Sequence, residues 1–374
     1  MRSIRAAGLR LAATLIILAI CFVCLELSYR AYKLLSYGLV DYPDSVTIGM
    51  YKFDSLYGTL PTPGFSSRSI PERIRKHPQV KGYDVNISFN RWGYRGRDFD
   101  FAKPPGPYRI VTLGGSTTQN VEVSDEDTWS AQLEAKLNND PAFLAKVGAR
   151  TVEVINAGLG GSRTREGLLR FEQDVVRMQP DLILVAYNWN DIHYGTEGYD
   201  PDQPLATARP WWHGVKILQN AWIRWVRFQD RSEMRWGNNL AHLRPDEYRA
   251  IVYKRNLIKM SYLSRKIGAQ MMFVNLPGLC REAAFGSPEY SVIVENTRAN
   301  PASFPYWVKI KQFAASTLQE VGRTEGVGTI DVSGYFERFS STDRLRLFVD
   351  EMHTTKDGSE QIANAIYAYL AARP

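Results

Sequence analysis

Tyr108–Thr118 reads Tyr-Arg-Ile-Val-Thr-Leu-Gly-Gly-Ser-Thr-Thr, and the fold class turns on it. Arg109–Leu113 is a short run rich in β-branched and apolar residues, the pattern of a buried strand. It stops at Gly114-Gly115-Ser116, two residues without side chains followed by a hydroxyl. Open parallel sheets place their ligand crevice just outside such strand carboxyl ends.

The same alternation continues along the chain. Glu126–Asn138 has a helical period, Val152–Asn156 is a second apolar run, and a helical stretch follows it through Arg177. Asp181–Tyr187, Met271–Asn275 and Gly328–Val332 supply further strands, with a helix around Trp307–Arg323 and an amphipathic one over Lys356–Ala371. Strands separated by helices of this length predict βαβ units, hence an α/β domain with about five parallel strands.

Small and polar residues gather at the ends of these strands. Gly114–Thr118 follows the first, Asn156–Ser162 (Asn-Ala-Gly-Leu-Gly-Gly-Ser) the second, and Asn188-Trp189-Asn190-Asp191 the third. Asp350-Glu351-Met352-His353 stands directly before the last helix. A serine hydroxyl becomes a useful nucleophile only when a base takes its proton, and the base needs an acid to hold its tautomer. Ser116, His353 and Asp350 offer that set. Asp331 and Glu351 compete for the acid role, but the three-residue spacing of Asp350 lets its carboxylate reach one ring nitrogen while the other faces Ser116. Structural readings exist for each residue: a turn for Ser116, an Asx turn for Asn190, and a capping-region position for His353, with Thr354 as N-cap and Asp357 at the capping-box position.

These four segments, in this order, resemble the conserved blocks of the SGNH/GDSL hydrolases. The resemblance covers roughly residues 108–372 and implies a flavodoxin-like three-layer α/β/α fold. It also implies Ser116 as nucleophile, Asp350 and His353 as its triad partners, and an oxyanion hole from Ser116, Gly161 and Asn190. Gly115, Thr117, Trp189 and His193 are candidate pocket residues. Two departures stand out: Gly115 replaces the usual Asp, and Asn188-Trp189 replaces the small residues before the Asn-Asp pair.

Other chemistries find no support. Arg163 stands where a dinucleotide-binding Gly-x-Gly-x-x-Gly needs its last glycine, and no P-loop or His-Glu-x-x-His string occurs. No cofactor and no metal are expected. The net charge of +7 suits anionic lipid or glycan surfaces, and the scattered basic residues do not predict a nucleic-acid partner.

Leu11–Leu25 carries no charge and follows Arg2, Arg5 and Arg10. With Arg10 and Glu26 at the interfaces, Leu9–Leu27 meets the length of a spanning helix, and the basic leader favours its N-terminus inside. No small-x-small cleavage site follows, and Ile20 disfavours a lipoprotein reading of Cys21. This predicts a single-pass cytoplasmic-membrane anchor over residues 1–35 with the catalytic domain periplasmic. Residues 36–107 read as a stalk and small β-containing cap, and 108–374 as the hydrolase-like domain. An insertion at about 195–245 carries Trp211, Trp212, Trp222, Trp225 and Trp236 among arginines. Cys280 reads as a buried free thiol. The expected substrate is an acylated envelope glycan, or a lipid-like ester, and the expected reaction is hydrolysis. Acyl transfer to a glycan by the same acyl-enzyme, or a non-catalytic glycan-binding scaffold, are the alternatives.

Overall fold

A computed structural model describes residues 2–37, 50–54, 57–69, 84–188, 190–191, 215, 217–218, 250–291 and 304–373. The sequence-predicted pocket residues Trp189 and His193 and nearly all of the Trp-rich insertion lie outside the described residues. The chain divides into two compact units, Met1–Thr62 with Pro204–Arg235, and Pro63–Gln203 with Trp236–Pro374.

The first unit holds helix α1 (Arg2–Tyr37) and an antiparallel pair, β1 (Tyr51–Asp54) and β2 (Gly58–Pro61). Within α1, the 25 residues Gly8–Tyr32 are long and apolar enough to cross a membrane, with a mean hydropathy of 2.5 over their most apolar 18-residue window. At 1.5 Å per residue it runs about 38 Å, against a hydrocarbon core of about 30 Å. Glu26 interrupts this apolar surface and is not left alone: Arg30 Nε donates to it at 2.8 Å and the Ile217 N–H at 2.9 Å.

The second unit is built on five parallel strands: β5 (Pro107–Gly114), β6 (Thr151–Asn156), β7 (Leu182–Ala186), β8 (Gln270–Val274) and β9 (Gly328–Ile330). Their order is β6-β5-β7-β8-β9. The chain therefore starts in the interior of the sheet, pairs β6 on one side and then reverses to β7, which makes the end of β5 the switch point where ligands bind. Burial on both faces explains why β7 is apolar at every position. Ile110, Leu182, Leu184, Met272 and Val274 face one way, against α3 (Trp129–Asn138), α4 (Pro141–Val147) and α11 (Lys356–Ala372). Val111, Leu113, Ile183, Val185 and Phe273 face the other. There they meet α5 (Thr164–Arg170) with its π-turn continuation Phe171–Val175, α7 (Ala250–Lys266) and α8 (Phe304–Glu325). The shorter helices are the single turn α2 (Ser116–Gln119), α6 (Val176–Met178), α9 (Val332–Phe336) and α10 (Ser341–Leu347). The three-layer α/β/α fold follows from that alternation.

Strand β6 lies at an edge, where unpaired backbone groups invite aggregation. Side chains of α3 close it: Asn138 exchanges hydrogen bonds with Val152 N–H and C=O at 2.8 and 2.9 Å, and Glu134 accepts from the Val154 N–H at 2.6 Å.

The stretch read from sequence as a stalk and cap is shared between the two units. A second antiparallel pair, β3 (Ser66–Ser69) and β4 (Val85–Ser88), falls in the second unit. Residues beyond it go deeper, since Tyr94 and Phe99 are core residues packed with Val111 and Phe171. Helix α7, with an apolar face of Tyr253, Leu257 and Met260, has no counterpart in the sequence-based reading. At the other end, α11 is capped by Thr355, whose hydroxyl accepts from Gly358 N–H, rather than by Thr354. Thr354 is engaged elsewhere, bridged to Phe348 and with its hydroxyl against Ser359, so the cap falls one residue later while the helix starts at Lys356 as expected.

Trp129 is fully buried at the start of α3, and its indole N–H donates to the Thr117 carbonyl at 3.2 Å. Trp129→Ala should cost about 3–5 kcal/mol by emptying that space. Trp129→Phe should cost less, about 1–3 kcal/mol, for the lost hydrogen bond and the smaller ring. Urea unfolding followed by circular dichroism measures both.

Candidate active site

Four loops at the carboxyl ends of the sheet bring the sequence-predicted residues together. β5 ends in Gly114, and Gly115 precedes Ser116, the first residue of α2. As the first residue of a helical turn, Ser116 has an N–H with no acceptor inside the helix. The turn ends at Asn120, a non-glycine residue at φ 45°, a conformation asparagine tolerates better than most.

His353 Nε2 lies 2.8 Å from Ser116 Oγ. On the other side of the ring, Nδ1 lies 2.8 and 3.0 Å from the two carboxyl oxygens of Asp350. Asp350 Oδ1 also accepts from the Met352 N–H at 2.9 Å and the His353 N–H at 2.7 Å. The carboxylate thus fixes both the backbone turn and the ring, and it selects the tautomer with hydrogen on Nδ1 and a lone pair on Nε2 toward the serine. Asp350 and His353 are both buried, which strengthens each charge-assisted contact. The other two acids are placed elsewhere. Asp331 caps α9, accepting from Gly334 N–H, and is bonded by Asn275 Nδ2 at 2.8 Å. Glu351 contributes a backbone carbonyl that accepts from Leu279 N–H.

Asn190 Nδ2 donates to the Ser162 carbonyl at 2.8 Å. An amide nitrogen carries two hydrogens, so one remains for a ligand. Gly161 adopts φ +73°, where a side chain would be strained. Its N–H has no acceptor among the described residues, whereas those of Gly158, Leu159, Gly160 and Ser162 all have one. Gly158 is needed for another reason: a Cβ there would lie 2.3 Å from the backbone N of Gln119. The glycine segment and the turn carrying Ser116 touch backbone to backbone.

A small hollow is lined by Gly115, Ser116, Ser162, Tyr187, Asn190 and Met352, with Thr117, Ala186 and Asn188 completing it. Of the sequence-predicted pocket residues, Gly115 and Thr117 line it. Gly161 reaches it only through its neighbour Ser162. Asn188 belongs to the strand-end cluster named from sequence; Tyr187 and Met352 were not singled out, although each flanks a residue that was. Cys280 is buried, and burial pushes its thiol up to about 12.

Asn120 ties the halves of the site together. Its Nδ2 donates to Thr354 Oγ1 at 3.1 Å and to Ser359 Oγ at 2.7 Å. Asn120→Ala should cost about 2 kcal/mol, two buried hydrogen bonds at about 1 kcal/mol each, and lower kcat by loosening the His353 loop against Ser116. Gly158→Ala should be worse, since backbone must move. Parallel unfolding and esterase assays give the order.

Over 89 residues the chain is 27% identical to an uncharacterized lipoprotein, YqeF, of Bacillus subtilis, a match covering 24% of this chain. The chain spans about a third (34%) of that relative's length. Solved structures similar to this one include an α/β hydrolase, LAE5, from the metagenome of Lake Arreo in Spain, at 17% identity and TM-score 0.41 over 72% of this chain and 97% of that one. A lipase/acylhydrolase from Enterococcus faecalis gives 17% identity and TM-score 0.41, over 71% and 96%. A catalytic mutant of the acetylxylan esterase Axe2 from Geobacillus stearothermophilus gives 11% identity and TM-score 0.43, over 73% and 99%. The sequence model of the GDSL-like lipase/acylhydrolase family matches residues 112–361, about two thirds of the chain. The chain belongs to that family, in line with its resemblance to the SGNH/GDSL hydrolases.

Proposed function

We propose that this protein is a membrane-tethered, extracytoplasmic esterase that removes a short acyl group, such as acetyl, from an envelope polysaccharide. The observation that carries the reading is the contact chain Ser116 Oγ–His353 Nε2–ring–Nδ1–Asp350. Ser116 attacks the ester carbonyl as its proton passes to His353 Nε2, and Asp350 stabilises the imidazolium formed. The carbonyl oxygen becomes an oxyanion that accepts from the Ser116 and Gly161 N–H groups and the second hydrogen of Asn190, donors set in place before the charge develops. The imidazolium then gives its proton to the departing sugar oxygen. Water, deprotonated by His353, attacks the acyl-enzyme, releases the acid and restores Ser116 Oγ–H.

A short acyl group suits the hollow beside Ser116, which Gly115, Ser162, Asn190 and Met352 bound closely. An anchor over Gly8–Tyr32 would hold the domain at the envelope, and the net charge of +7 favours an anionic glycan.

Ser116→Ala should abolish release of p-nitrophenol from its acetate ester while the circular dichroism spectrum stays unchanged; retained turnover sinks the assignment. The butyrate ester should turn over at least tenfold more slowly than the acetate, following the limited space. For topology, alkaline phosphatase fused after Pro374 should be active in cells and β-galactosidase fused there inactive; the reverse result places the domain inside.

A further inference from the structure

Asp191 follows Asn190 and takes no part in the chemistry above, yet it is tied into the wall of the site. The Thr164 N–H lies 3.0 Å from its Oδ1 and 3.1 Å from its Oδ2, and the Thr164 hydroxyl donates to Oδ1. That hydroxyl accepts from Asn256 Nδ2 of α7 at 3.1 Å. With its lone pair met by Asn256, the hydroxyl's own hydrogen is committed to the carboxylate. Thr164 is fully buried and opens α5, so Asp191 meets an N–H that the helix cannot satisfy internally.

One residue earlier, Asn190 grips the Ser162 carbonyl at 2.8 Å. Two consecutive residues after β7 therefore hold positions 162 and 164, just beyond Gly161 with its φ of +73° and its N–H without an acceptor among the described residues. Between them, the Arg163 N–H is bonded within its own helix, to Glu166 at 2.9 Å.

We propose that Asp191, as a carboxylate, is a positioning residue for the oxyanion hole: by clamping Thr164 it sets the direction of the Gly161 N–H and of the Asn190 amide. This rests on the reading of Ser116, Gly161 and Asn190 given above. Electrostatics support it. Burial pushes the Asp191 carboxyl up to about 7; Thr164's hydrogen bonds and Arg163 oppose the rise, and Glu166 adds to it. The groups facing it are Glu166 and Arg163 on α5, Tyr187 after β7 and Tyr253 on α7, with Arg165 paired to Glu166. A folded-state value above the ordinary one of about 4 means the folded protein binds this proton more tightly than the unfolded chain. Stability therefore falls as pH rises from about 4 to about 7, and the charged form is the less stable one.

The test compares purified wild type, Asp191→Asn and Ser116→Ala with p-nitrophenyl acetate at pH 8, alongside thermal unfolding at pH 5 and pH 8. Asp191→Asn should lower kcat about 10–100-fold, the scale of a misplaced oxyanion donor, with KM changed less than twofold. Its Tm at pH 8 should equal or exceed that of wild type, and the fall in Tm between pH 5 and pH 8 should shrink. An unchanged kcat, or a kcat loss accompanied by a lower Tm, overturns the positioning role. In either case an inactive Ser116→Ala leaves the esterase reading standing, whereas an active one removes that reading and this inference with it.

Discussion

One carboxyl oxygen, Oδ1 of Asp350, accepts from two backbone N–H groups and faces the His353 ring at 3.0 Å. The backbone bonds shape a turn that brings residue 353 back over residue 350. The ring contact then leaves Nε2 pointing at Ser116, 2.8 Å away. The ring's shorter contact, 2.8 Å, is to the other oxygen, Oδ2. Binding loop and ring to one carboxylate makes their positions dependent on each other. The rest of the domain supports this arrangement from outside. Phe348 bridges Thr354, Val349 N–H donates to the His353 carbonyl at 2.8 Å, and Asn120 reaches across from the Ser116 turn.

Loops at a strand end carry many carbonyls that no ladder satisfies, and buried ones need donors. Here buried arginines supply them. Arg95 bonds the carbonyls of Gln119 at 3.3 Å and Val123 at 2.6 Å, behind the Ser116 turn, and pairs with Asp125. Arg170 takes the carbonyls of Ala157 and Gly158 and lies 4.4 Å from the Tyr94 ring centre. Arg344 holds the carbonyls of Phe336 and Gly278. A guanidinium can do this because it has five donors in a fixed fork and no acceptor to satisfy. The domain thereby keeps irregular backbone rigid without regular structure.

This division explains which parts were legible in the sequence. The five strands are short apolar runs separated by helical stretches, and burial of the central ones, β7 at every position, leaves a signal that the sequence pattern carries directly. The strand-end clusters were legible for a related reason: only small or polar residues fit where backbones approach as closely as Gly158 and Gln119 do. Other contacts join residues far apart in sequence, and no local pattern announces them. Arg95 looks like one more surface arginine in a Tyr- and Gly-rich stretch, yet its side chain is 1% exposed. The start of α11 at Lys356 was legible, but its cap was misplaced by one residue, because two adjacent threonines are equal candidates until Thr354 is seen to be engaged by Phe348 and Ser359. Helix α7 was passed over although its apolar face is regular.

The dimensions of the hollow bear on where specificity resides. A site that selects by acyl size alone discriminates weakly among small groups, since a methylene is worth only about 1–3 kcal/mol. In the proposed mechanism Ser116 and Asn190 act on the ester carbonyl, so they respond to the reacting bond and not to the alcohol beyond it. Recognition of the alcohol must then come from surfaces outside the hollow. The family match covers residues 112–361, so α1 and the two strand pairs precede it while the Trp/Arg-rich insertion falls within it. A hydrolase that keeps its chemistry in a conserved frame and its selectivity in appended segments can change substrates without disturbing the Asp350–His353–Ser116 geometry.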